Sequence, residues 1–107
     1  MSSYLHEAVV VVASGYAMRG KSGVPRPEVE QFRDSLPPGW RPLVVGPVHS
    51  PVNDYEMWAF LPDGSKEGWE ESDLGDGFRR RFAALFSWRY EDGSSPFKIL
   101  NLKRRAA

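Results

Sequence analysis

Ala8-Val9-Val10-Val11-Val12-Ala13 decides the fold. Four consecutive β-branched residues suit a pleated surface, and a run that is apolar on both faces belongs in the middle of a sheet. Ser14 and Gly15 close it, and Gly15 to Arg26, with three glycines, one proline and three bases, has the chemistry of a loop. The strand therefore needs neighbours on both sides, and the rest of the chain must supply them.

A helix is expected over Pro27 to Leu36. Proline suits a first helical position, Glu28 and Glu30 sit at the positive end of the macrodipole, and Val29, Phe32 and Leu36 fall on one face. Pro37 stops it. Trp40 to Val48 is apolar but contains Pro42 and Pro47, which cannot donate to a ladder, so it reads as an edge strand. Tyr55 to Leu61 alternates, with Tyr55, Met57, Ala59 and Leu61 on one side and Glu56, Trp58 and Phe60 on the other. Because the first set contains no ionic group, it is expected to meet the helices, leaving the second on the open side of the sheet. Leu61 to Gly64 fits a type I turn.

Ser72 is the expected N-cap of a second helix reaching about Trp88, with Leu74, Phe78, Phe82, Leu85 and Phe86 as its apolar stripe and Gly75 and Gly77 weakening its start. Phe97 to Lys103 reads as a last strand, followed by a flexible basic tail over 103–107. The order strand, helix, strand, strand, helix, strand predicts an α+β domain: a ferredoxin-like βαββαβ fold, its four-stranded antiparallel sheet in spatial order 4-1-3-2 with both helices on one face. Residues 1–107 form one domain on this reading, and the acidic Pro62 to Asp76 segment and the basic tail share one end of the sheet.

The 107 residues carry 14 bases and 14 acids, no cysteine and two histidines. Zero net charge gives no global attraction to nucleic acid or an anionic membrane. The charges are nevertheless segregated, acids over Asp63 to Asp76 and bases after Gly77. Without cysteine there is no disulfide, thiolate zinc site or cysteine nucleophile, which suits the cytoplasm. The N-terminus has no secretory-signal pattern, and the longest apolar run is too short to span a bilayer of roughly 30 Å.

Gly15 to Ser22, GYAMRGKS, matches the phosphate-loop pattern and follows a valine-rich strand, so these eight residues resemble the phosphate loop of P-loop nucleotide hydrolases. The resemblance implies phosphate contact at Gly20, Lys21 and Ser22. A phosphate loop must also open a helix at its lysine, and Pro25 and Pro27 oppose one there. The competing reading is a glycine-rich loop with solvated bases. His49 has only Asp54 and Glu56 near it in sequence, a poor ligand set, so no metal site is assigned. No serine has a base at suggestive spacing, and no catalytic residue or cofactor is assigned. Asp63 to Asp76 lacks the glutamate of a calcium loop and reads as a solvated acidic segment. Arg79, Arg80 and Arg81 spread around a helix and read as a solvated face, with Asp76 and Arg80 an i, i+4 pair.

The expectation that remains is a small, non-enzymatic protein-binding module, a regulator or stoichiometric inhibitor, whose partner is another protein or a second copy in a homodimer. Trp58, Phe60 and Glu56 are its candidate partner-binding residues. The alternatives are phosphate binding at Gly15 to Ser22 and nucleic-acid stacking on Trp58 and Phe60, the latter without the basic-glycine-aromatic signature of RNA-recognition domains.

Overall fold

The computed structural model describes residues 4–14, 26–52, 55–65, 68–87, 89 and 92–106. The elements are strand β1 (Tyr4–Ser14), helix α1 (Arg26–Ser35), strands β2 (Val44–His49) and β3 (Tyr55–Phe60), helix α2 (Glu70–Ala84) and strand β4 (Phe97–Ala106). The four strands form one sheet in the order β2-β3-β1-β4, with every neighbouring pair antiparallel. The valine strand is central and the proline-bearing strand lies at an edge, as their side chains require.

Beyond the valine run, β1 extends back to Tyr4, and Tyr4 to Glu7 pair with Ala106 to Lys103 of β4. The segment expected to be a flexible tail thus continues a ladder as far as Ala106. Its backbone gains partners that a free tail would have to take from water. At the opposite edge β2 is irregular. Its register on β3 slips between Val45 and Val48, and Gly46 sits at φ 118°, where a Cβ would lie 2.6 Å from the Met57 carbonyl oxygen. Only glycine fits that approach. The Trp40 to Val48 segment yields strand only from Val44, because a 3₁₀ turn carries Pro42.

Helix α1 ends where Pro37 and Pro38 begin, and its free carbonyls are taken by arginine. Arg41 Nε and Nη2 donate to Leu36 O and Asp34 O at 3.0 Å, while Arg33 of α1 reaches across to β2, its Nη2 donating to Gly46 O at 3.0 Å. Helix α2 starts two residues before the expected cap. Trp69 is its extended N-cap and Ser72 is buried within it, while Glu70, Glu71 and Asp73 in the first turn satisfy the dipole that a capping side chain would otherwise serve. It ends at Ala84, short of Trp88.

The core corrects the expected sidedness of β3. Trp58 and Phe60 are 1% and 0% exposed, whereas Tyr55 is 42% exposed. Phe32 of α1 and Phe82 of α2 both meet Phe60 in T-shaped contacts, at 6.2 and 5.9 Å between ring centroids, and Phe86 meets Trp58 at 5.4 Å. Both helices therefore cover the Trp58 side, together with Val9, Val11 and Ala13. Burying an aromatic side chain is worth about 1.5–3 kcal/mol. Two of them on one face outweigh the presence of Glu56, which sits one residue from the start of β3 opposite Ala13 and His49.

Candidate functional site

With Trp58, Phe60 and Glu56 turned toward the helices, the other face of the sheet is the open one. Its central rows are given by the register. Lys98, Val12, Met57 and Val48 lie side by side across β4, β1, β3 and β2, and Leu100, Val10, Ala59 and Val45 form the next row. Ala8 with Leu102 and, at the far end, Tyr55 extend it. Leu102, Val48, Tyr55, Leu100 and Val45 are 54, 47, 42, 41 and 36% exposed. Among the described side chains of this face Lys98 is the one that is charged. A contiguous apolar patch of this kind is what monomeric proteins rarely leave in water.

The sequence-derived candidates fall elsewhere. Trp58 and Phe60 are core and cannot serve as anchors on the open face, and Glu56 is buried beside them. Gly20, Lys21 and Ser22 lie outside the described residues. His49 is exposed on the β2 edge, and among the described residues no group of three or more histidines or carboxylates could hold a metal ion. The alternation along β3 separated Tyr55, Met57 and Ala59 from Glu56, Trp58 and Phe60, but the lack of an ionic group in the first set pointed to the helix side, and it is the packing of Phe32, Phe82 and Phe86 that leaves it on the open one.

At one end of the sheet a second constellation forms that the sequence reading did not assemble. Arg79, expected on a solvated face, is 6% exposed. Its guanidinium meets Glu7 of β1 at 3.2 Å, Asp63 after β3 at 3.2 Å and Asp76 one turn before it at 3.1 Å, and it lies 5.9 Å from the Phe60 ring centroid. Asp63 in turn accepts the Ser65 N–H at 2.7 Å and the Ser65 hydroxyl at 2.5 Å on Oδ1. Both oxygens of Asp63 are occupied by donors of the fold itself, which suits a clamp between strand end and helix rather than proton transfer. The acidic segment is thus not wholly solvated: its first member anchors α2. Arg80 and Arg81 remain exposed, the latter 5.5 Å from the Phe32 ring.

Two depressions flank this clamp. One, of about 460 Å³, is lined by Glu7, Asp76, Arg79, Arg80 and Asn101 over Ala8 and Val9. The other, of about 280 Å³, lies between Trp40, Leu43, Asp63 and Trp69. No described helix is long and apolar enough to cross a membrane. Compared with protein families, curated proteins and solved structures, the chain matches none of them.

Proposed function

We propose that this chain is a small protein-binding module, a regulator or stoichiometric inhibitor, that acts through protein-protein contact on its open sheet face. The observation that carries the reading is that face itself: Val10, Val12, Met57, Leu100 and Leu102 present apolar surface on the side of the sheet away from both helices, with a single described charge at its margin. Interface cores are depleted of charge in this way. We read the topology as ferredoxin-like, because β2-β3-β1-β4 taken from the opposite edge is the order 4-1-3-2. A cysteine-free chain suits the cytoplasm.

The absence of cysteine supplies the experiment. A single thiol introduced by Leu100→Cys reports whether the face is covered, and Glu30→Cys on exposed α1 is the control. Alkylation at position 100 is expected to be at least about tenfold slower in cells expressing the protein than in dilute pure protein, with position 30 unchanged. Equal rates at position 100 in both settings would refute the reading.

A further inference from the structure

Resting on the reading of the open face as a docking surface, we infer that its occupant is a second copy of this chain, stacked sheet on sheet about a two-fold axis that runs along the strands between β1 and β3. Size permits it. The side chains of the face expose on the order of 500 Å² per copy, so a pair would remove roughly 1,000 Å², where specific interfaces begin.

The charge pattern favours it. A partner of different kind is usually selected by complementary charges, and the described face offers Lys98 alone, with no carboxylate to define such a code. Lys98 is on β4, an edge strand, and the proposed axis lays β4 of one copy over β2 of the other. The two lysines are then separated by the width of the sheet, roughly 14 Å for three strand spacings, and neither meets its like.

The register matches as well. Because Lys98 and Val48 end the same cross-strand row, each Lys98 falls over Val48 of the second copy, at the rim, where its stem covers apolar surface and its ammonium reaches water. In the next row Leu100 falls over Val45 and Val10 over the small Ala59, so large side chains face smaller ones.

Sedimentation equilibrium from the low micromolar range to about 500 µM tests the inference. Wild type is expected to pass from the monomer mass of 12.1 kDa to twice that value. Val48→Lys sets a lysine against Lys98 of the other copy and is expected to weaken association at least about tenfold; adding Lys98→Glu to it restores association. Val48 is 47% exposed, so the change leaves the monomer's core intact. A wild type that stays monomeric throughout would overturn the second copy as occupant, and slow alkylation of the position-100 thiol in cells would then still uphold docking of another protein. A dimer that Val48→Lys leaves untouched, or that Lys98→Glu does not restore, would overturn this arrangement.

Discussion

The Arg79 guanidinium and the Asp63 carboxylate, sixteen residues apart in the chain, meet at 3.2 Å with 7% and 8% of their side-chain surfaces exposed. Glu7 and Asp76 converge on the same cation. Removing the arginine would leave the carboxylates facing one another in a low-dielectric setting, and breaking a buried pair in this way costs about 3–5 kcal/mol. Arg79→Ala is therefore expected to lose most of a small domain's stability in urea denaturation. Exposed Arg80→Ala should stay within about 0.5 kcal/mol of wild type.

The neighbouring glycines should respond in opposite senses. A Cβ on Gly75 would collide with Asp63 Oδ2 and approach Arg79 Nη2 to 2.8 Å, whereas one on Gly77 would meet open space. Gly75→Ala should cost about 1–3 kcal/mol by overpacking the clamp. Gly77→Ala should stabilise by about 0.5–1 kcal/mol through helix propensity. Thermal midpoints of the two variants, measured side by side, give the comparison; a destabilised Gly77→Ala would contradict it.

Trp58 should behave as core. Its Nε1 finds no acceptor among the described residues, so Trp58→Phe forfeits no hydrogen bond and should cost about 1–2 kcal/mol, against about 3–5 kcal/mol for Trp58→Ala. Trp58→Asp should abolish cooperative unfolding altogether, because it buries an unpaired charge. A soluble, cooperatively folded aspartate variant would contradict the burial described above.

Asp92 offers a pH probe. Its carboxylate accepts the Ser94 hydroxyl at 2.6 Å and the Ser94 N–H at 2.9 Å, and these bonds, the hydroxyl first, hold its pKa below the ordinary aspartate value. A folded value below the unfolded one means that the contribution is present above the unfolded pKa and lost as pH falls through the folded one. Ser94→Ala should raise the Asp92 titration midpoint, followed by the carboxyl carbon shift in NMR. An unchanged midpoint would remove the hydroxyl as the main cause.

Much of the architecture was legible in local chemistry. Four valines require a two-sided strand, and Pro47 confines its strand to an edge. The sidedness of β3 was not, because Tyr55 to Phe60 carries large apolar side chains on both faces and its one acid, Glu56, lies on the side that is buried; the helices settle it through Phe32, Phe82 and Phe86. Once the sides are exchanged, the open face follows from Tyr55, Met57 and Ala59. The Arg79 clamp was hidden for a different reason. Its carboxylates come from three separated places in the chain, and a run of three arginines looks like any solvated helix face. The trace it left was Gly75, a poor helix former kept inside α2 because a carboxylate occupies the place of its side chain.

The two rims of the sheet are unequal, and this limits how such molecules can add to one another edge to edge. An endless fibre needs every subunit to present a receptive rim on each side. Here β4 runs ten residues without a proline, whereas β2 has six, a slipped register and a Pro47 that has no N–H to give. A strand arriving from outside finds a continuous row of backbone groups on one side and a broken row on the other. Lys98, exposed on β4, adds a charge to that rim, and a lysine on an edge strand discourages pairing with another chain. Lateral growth would therefore stop after one addition, and the protein tolerates an apolar open face without becoming a template for unlimited stacking of strands.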